Sequence, residues 1–530
     1  MACDALGVDD IDETASLSDL GMDSLAGAEF VADLSRRLGR AVAPALLIEC
    51  DTVDAIVSAL GEDDVVEEVV EEVVQEPRSR RLACAPSSRD QELLLWMLRR
   101  ARTRSIKPGY AWLPPTAVGL LEGSLNVEAL EWALSQVVEA HDALRSRLVE
   151  VPGANKALVV FGVDEKPKLL IKTATTVDEA KSMAQTYHDA TPNDPYESTS
   201  LLRALLISTP SQEHVLYLSC NHAITDGWSH QVLYGELVRA YNARLQGSEA
   251  PFGHEERPYA AWLSDQSMNV NEGRKRRYAR CARLPAWPQL GTASVLFETG
   301  SLLRNAIAKV LPKEILDNVK RRLSPKCSLP SVVLAAYAHA LGRAARGEAS
   351  VVQYSHPGRT KLDRRTYGQL ATDANVLLDD LSPQPTVGAF SESVHRAVLE
   401  ALSNPTPYAD DYVACTNGRE APLPAQYNWY DRYGDVPQWS GIRRATELSL
   451  DSSSLSQKTF NIGAVYLMAL VQGDGALKLV CYFNDSLYAR HTILDALGDV
   501  SAFLARFAED PSLSLPALSA GESNGAGARE

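Results

Sequence analysis

Two kinds of territory follow from the order of apolar and polar positions along the chain. Near the N-terminus, LAGAEFVADLSRRLG sets Leu25, Phe30, Val31, Leu34 and Leu38 near helical spacing, and Gly39 suits the end of that helix. A second helix is predicted over DTVDAIVSAL, 51–60, with Asp51 or Thr52 as cap and Val53, Ile56, Val57 and Leu60 as its buried stripe. Two short helices cannot enclose a core, so a small helical bundle is expected over residues 1–60. Residues 61–76, GEDDVVEEVVEEVVQE, repeat paired Val and Glu with a period of four. Such a stripe drifts around a helix, β-branched Val weakens it and neighbouring acids repel. Residues 61–81 are therefore expected to be a solvated tether, the alternative being an acidic docking helix for another subunit.

From about 82 to 515 the two periods mix, as in an α/β protein. Helices are predicted over 89–100, 126–140, 230–245, 313–322, 330–344 and 488–508, and strands over 157–162, 201–208, 214–220, 349–354 and 476–484. In HVLYLSCNH, Val215, Tyr217 and Ser219 alternate with Leu216, Leu218 and Cys220, so both faces of that strand are expected to be buried. The heptapeptide NHAITDG, 221–227, lies at the strand's end, where Gly227 permits a tight turn before a helix.

At 530 residues the chain exceeds what one core supports, and about three globular units are expected. The longest uncharged apolar stretch, CSLPSVVLAAYAHALG, is too short for a bilayer and holds Pro330 and His339, so no membrane span is predicted. The acidic start MACDALGVDD lacks the basic and apolar regions of a secretory signal. Eight scattered Cys without a CxxC suit reduced thiols, a cytoplasmic location and no structural metal. Charge divides the chain further: residues 1–76 hold 20 acids against three Arg, a net of −17, whereas the remaining 48 acids and 49 bases nearly cancel. A polyanion would be repelled by that head, which excludes nucleic acid as its partner and favours a basic protein surface.

Within NHAITDG, His222 is the group able to move a proton near neutral pH, placed at a strand end where it could deprotonate or orient a nucleophile. Asp226 is expected to be ionised, paired and holding the loop. HxxxDG spacing alone is weak evidence, since a satisfied structural histidine is commoner than a catalytic one.

LGMDSL, the helix after it and DTVDAIVSAL follow one another as in acyl carrier proteins, and residues 1–60 resemble that family. The resemblance implies that Ser24 carries covalent 4'-phosphopantetheine, installed by a phosphopantetheinyl transferase, with an acyl thioester at its tip. The Asp-Ser-Leu form is more like polyketide and fatty-acid carriers than peptide carriers. The family's first helix is mostly missing before Gly7, which implies a truncated or degenerate carrier. Read from the residues alone, Ser24 could simply cap a helix.

NHAITDGWSHQVLYGEL is similar to the HHxxxDGWS segment of nonribosomal-peptide condensation domains, in the chloramphenicol-acetyltransferase-like superfamily. EAHDALRSRL at 139–148, LLRALLI at 201–207, RPYAAWLSDQ at 257–266, the stretch from LPSVVLAAYAHALG to HPGRT, TYGQLATDANVLL at 366–378, QYNWYDRYG at 426–434 and LVCYFNDSLYARHTI at 479–493 continue that resemblance in order. It implies two α/β lobes in a V, over 82–266 and 267–515, with a tail over 516–530, and a tunnel entered from opposite sides by donor and acceptor. By matched position His222 would be the catalytic histidine, Gly227 would lie beside the reacting carbonyl, and Asp226 would pair with Arg359. The family's first histidine is replaced by Asn221, which can hydrogen-bond but cannot ionise.

The resemblance implies condensation of a carrier-bound acyl group with an amine, a hydroxyl or a carrier-bound acceptor, alongside other synthase domains or subunits, giving an amide or ester. The rival class is a non-catalytic platform that recruits a partner enzyme, suggested by Asn221 and the shortened carrier. Epimerisation is disfavoured by the Asp-Ser-Leu carrier, heterocyclisation by the absence of an Asp-rich motif, and transfer to a plant-type alcohol by the absence of a DFGWG-like segment.

Overall fold

The computed structural model describes residues 50, 52–60, 84–88, 116–151, 157–162, 167–190, 200–252, 257–265, 305–344, 351–359, 363–378, 386–403, 425–430, 438–448, 465–472, 474–483 and 488–515, with 34, 91, 92, 95 and 196 as isolated positions. Ser24, the tether at 61–76 and the tail at 516–530 lie outside them. Of the head, helix α1 (Val53–Leu60) is described. Thr52 caps it, its hydroxyl accepting from the Ala55 N–H at 3.2 Å. Ile56 is buried as its spacing predicts, but Val57 is 49% exposed, so the apolar stripe is narrower than expected.

The first lobe runs through β1 (Cys84–Pro86), β2 (Thr116–Gly123), α2 (Val127–Ala140), β3 (Ser146–Glu150), β4 (Ala157–Phe161), β5 (Leu169–Thr173), α3 (Val177–Ala190), β6 (Leu202–Ser208), β7 (Glu213–Cys220), α4 (Gly227–Leu245) and α5 (Tyr259–Asp265). The second contains β8 (Asn305–Leu311), α6 (Lys313–Arg321), α7 (Leu329–Ala344), β9 (Val351–His356), β10 (Thr372–Leu377), α8 (Val387–Ser403), β11 (Gln426–Tyr430), β12 (Ile442–Glu447), β13 (Val465–Val471), β14 (Leu477–Phe483) and α9 (Arg490–Glu509).

Among the described residues three sheets form, ordered β12-β2-β7-β6-β5, β1-β4-β3 and β10-β9-β11-β13-β14-β8. The division of the chain near 266 is not clean in space. Strand β12 comes from the second half of the sequence yet pairs antiparallel with β2, from Ile442 opposite Gly123 to Glu447 opposite Gly119. It closes one edge of the first lobe's sheet.

Strand β7 sits in the middle of that sheet, between β2 and β6. On one face Leu216, Leu218 and Cys220 pack with Leu130, Leu134 and Val137 of α2 and Leu233 and Leu237 of α4. On the other, Val215 and Tyr217 pack with Ala180 and Ala184 of α3. Both faces are thus dry, as the continuous apolar run predicts. The second lobe's sheet instead packs one face on α7, α8 and α9, through Val352, Ala374, Val376, Tyr427, Leu467 and Leu479.

Candidate active site

Strand β7 ends at Cys220, and the chain then makes a three-residue 3-10 turn, His222–Ile224, before α4 begins. Asn221 starts the turn: its side-chain oxygen accepts the Ala223 N–H at 2.9 Å, while its own N–H donates to the Leu201 carbonyl at 2.7 Å. A short polar side chain is what such a position asks for, because its amide oxygen replaces a missing main-chain partner. His222 follows as the first residue of the turn and is partly exposed, between buried Asn221 and Ala223.

Asp226 closes the loop and caps α4, accepting the Ser229 N–H at 2.8 Å. Its other oxygen accepts from Arg359 at 2.7 Å and from the Leu370 and Ala371 N–H groups, each at 2.9 Å. Asp226 and Arg359 are almost wholly buried. Burial works against an ionised Asp226, but the Arg359 charge and the hydrogen bonds from Arg359, Ser229 and Ala371 outweigh it, holding the carboxyl below the usual carboxylate range. Arg359 also donates to the Ser229 hydroxyl at 2.6 Å and the Pro357 carbonyl at 3.0 Å, with its guanidinium 5.6 Å from the centre of the Trp228 ring. Gly358, at φ +64°, makes the turn that delivers this arginine, and a Cβ there would lie 1.9 Å from the Leu370 carbonyl oxygen. Only glycine meets both demands.

Further ties join the loop to the second lobe. Thr225 donates to the Tyr367 hydroxyl at 2.9 Å, Ser229 donates to the Gly368 carbonyl at 2.7 Å, and the Trp228 indole donates to the Arg364 carbonyl at 2.8 Å. Behind them Glu236 of α4 takes His141 at 2.7 Å and Arg365 at 3.1 Å. His141 belongs to EAHDALRSRL, so that segment braces α4 and does not reach His222 through any bond described.

Gly227 has a different role from the turn expected of it. It is the first residue of α4 and its φ is not left-handed. What crowds a side chain there is Tyr430 at the end of β11, whose Cε1 would lie 3.0 Å and whose hydroxyl 3.2 Å from a Cβ. The glycine allows the second lobe's sheet to approach the loop.

Burial holds the His222 imidazole below the ordinary histidine range, while a hydrogen bond to its own main-chain carbonyl and the Asp226 charge push the other way. The ring is therefore neutral at neutral pH. Cys220, two residues earlier, is fully buried and its thiol is pushed up to about 12 by burial, which removes it as a nucleophile.

The sequence-predicted residues Asn221, His222, Asp226, Gly227 and Arg359 thus meet in one place. The residues that pattern reading passed over there are Tyr430, Trp228 and Ser229 and the main chain at 370–371. WS directly after DG was a usable signal for two of them.

Residues 1–60 match the model of the phosphopantetheine attachment site family, and residues 107–370 match the condensation domain model. A linear gramicidin synthase component of Brevibacillus parabrevis is 26% identical over 424 residues, covering 76% of this chain and 8% of its own length. Malpinin synthetase of Mortierella alpina is 26% identical over 529 residues, covering 96% of this chain and 6% of its own. The chain thus spans a small part of these relatives. Among solved structures, the X-domain in complex with OxyB from teicoplanin biosynthesis superposes with a TM-score of 0.65 at 17% identity, over 83% of this chain and 96% of that one. The starter condensation domain of rhizomide synthetase gives 0.63 at 16%, over 82% and 96%. At these identities the likeness is one of fold.

Proposed function

We propose that, in a chain whose residues 107–370 match the condensation domain model and whose residues 1–60 match the phosphopantetheine attachment site model, the loop at 221–227 transfers an acyl group from a carrier thioester to an amine or hydroxyl. The observation that carries this reading is a neutral imidazole, His222, at the tip of a loop whose other polar anchors are engaged across the two lobes.

Ser24 lies outside the described residues. What is described of its segment, Leu34 and Ile56 both buried, fits the packed helix pair a carrier needs. Pantetheine on Ser24 would supply an acyl thioester at the end of a flexible arm. His222 would accept, on its neutral ring, the proton that the acceptor loses as it attacks the thioester carbon. The new C–N or C–O bond then forms as the C–S bond breaks, and His222 returns the proton to the departing thiolate. The N-terminus of α4 at Gly227 offers main-chain N–H groups and a positive dipole end to charge developing on the carbonyl oxygen. Asp226 and Arg359 position and do not exchange protons, because each neutralises the other.

The test is single-turnover transfer from a loaded carrier to a panel of amines and alcohols. His222→Ala should lower the rate by about a hundredfold to ten-thousandfold, the usual contribution of one general base. Transfer at the parental rate refutes the mechanism. Asn221, where the resemblance to condensation domains places a first histidine, favours a second reading, a platform that recruits a partner enzyme. That reading predicts no transfer by the parental protein to any acceptor, together with binding of another synthase component.

A further inference from the structure

The second lobe's sheet has an apolar face and a polar one. Alternation along β11 fixes their directions. Tyr430 meets Gly227 of the first lobe, so Asn428 and Gln426 face that way too, whereas Tyr427 and Trp429 turn to the helices behind. Register carries the polar face across the sheet: Ser355 of β9 lies beside Asn428, Gln353 beside Gln426, and Asp373 of β10 beside Ser355.

Hydrogen bonds join these side chains in two groups, one around Asp373 and Gln353 and one at Asn428. Gln353 donates to the Asp373 carboxyl at 2.8 Å, and the Ser355 hydroxyl donates to its other oxygen. Gln426 donates to the Gln353 amide oxygen at 2.6 Å, and Asn428 donates to the Tyr466 hydroxyl at 3.1 Å. The first group starts beside the reactive loop, since Ala371, two residues before Asp373, gives its N–H to Asp226.

Asp373 is the odd member. It has two neutral donors and, among the described residues, no cation; Arg359, the cation on the adjoining turn, is committed to Asp226. Burial raises its carboxyl above the usual range, opposed by the Ser355 hydrogen bond. An enclosed carboxyl without a cation is costly, and on the opposite face of β10 the flanking positions are Ala374 and Thr372. This polar wall, which among the described residues ends in an acid without a cation, lies on the sheet face whose Tyr430 meets the histidine loop, and that arrangement suits a positive charge.

We propose that this wall recognises the acceptor, and that the acceptor is basic: besides the amine or hydroxyl that reacts at His222, it carries a second, protonated amine that pairs with Asp373. This rests on reading the His222 loop as the reacting centre. It adds a substrate class and a specificity residue.

The test uses two isosteric probes, 1,4-diaminobutane and n-pentylamine, which differ in one ammonium against one methyl. Calorimetric titration of the full chain should give diaminobutane about tenfold or more tighter binding, the scale of one charge-assisted hydrogen bond. In Asp373→Asn the two probes should bind alike, with an unchanged thermal transition. Equal binding of the two probes to the parental protein overturns the proposal, as does a preference that survives Asp373→Asn. The parental comparison decides by itself should the variant fail to fold. His222→Ala separates this proposal from the transfer reading: it should abolish transfer and keep the preference for diaminobutane.

Discussion

The two large sheets are built to opposite specifications. In the first, β7 is buried on both faces, from His214 to Cys220 without interruption. In the second, β13 alternates strictly, with Val465, Leu467 and Ala469 buried and Tyr466, Met468 and Leu470 half-exposed. The first arrangement fixes a point in space, because a strand gripped on both sides resists sliding and tilting, and the loop 221–227 hangs from its end. The second leaves one face free to be chemically varied without cost to the core. Under the proposed function, placement of His222 and recognition of the acceptor fall to different sheets, joined by the Asp226–Arg359 pair.

Acid should have the largest effect, and on both lobes. Burial pushes His339, His356 and His395 of the second lobe and His230 of the first down to about 4, and lowers His188, His214 and His222 of the first as well. A histidine whose folded pKa is depressed contributes stability that is full above the unfolded value near 6.5 and lost as pH falls toward the folded one. Each can cost up to about 1.4 kcal/mol per pH unit across that window. Asp142 and Asp373, raised by burial, act with the opposite sign closer to pH 4. Thermal unfolding followed from pH 7 to 4 should fall steeply, and hydrogen exchange should show both lobes opening. A transition temperature flat to pH 4, or opening confined to one lobe, breaks this expectation.

Next in size is the joint itself. Asp226→Ala leaves Arg359 buried without its partner and also removes an N-cap, and about 3–5 kcal/mol of stability should be lost. Urea unfolding measures it, and a midpoint within error of the parental one would mean that the ion pair does not hold the lobes together.

Much of this was legible beforehand. The helices at 127–140, 313–321 and 490–509 follow the apolar period closely, because each buries one stripe, and the one at 329–344 is an apolar run buried all round from Ser331 to Leu341. Strands β10 and β11 escaped pattern reading for the reason that makes them interesting: TDANVL and QYNWY put Asp373, Asn375, Gln426 and Asn428 where a one-sided strand would show simple apolar alternation. Helix α8 escaped because Ser391, Ser393 and His395 are buried polar positions within it. Asn221, His222, Asp226, Gly227 and Arg359 could be named from spacing and resemblance, but Tyr430 against Gly227 could not, since that contact joins residues about two hundred positions apart.

Gly227→Ala probes that contact. A helical alanine is intrinsically better than glycine by about 1 kcal/mol, yet its Cβ would press on Tyr430 at 3.0 Å. Stability should therefore change little, within about 1 kcal/mol, while the shifted tyrosine lowers the transfer rate. Equal loss of stability and rate would assign Gly227 to the helix and not to the approach of the two sheets.

The smallest effect is expected at the start of the turn. Asn221 holds the Ala223 N–H through its amide oxygen, and alanine there should cost about 1 kcal/mol, the usual value of a lost side-chain cap. Because His222 stands between the two bonded residues, the same change should also loosen the imidazole and slow transfer several-fold without altering the pH at which the rate falls. Histidine at 221 offers a neutral ring nitrogen as acceptor in place of the amide oxygen, so Asn221→His should recover most of both losses. The pH–rate profile decides between a cap and a participant. If Asn221→His moves the acidic limb, the residue at 221 shares in the proton's path; if the limb stays and only the amplitude changes, position 221 acts solely by holding the turn on which His222 sits.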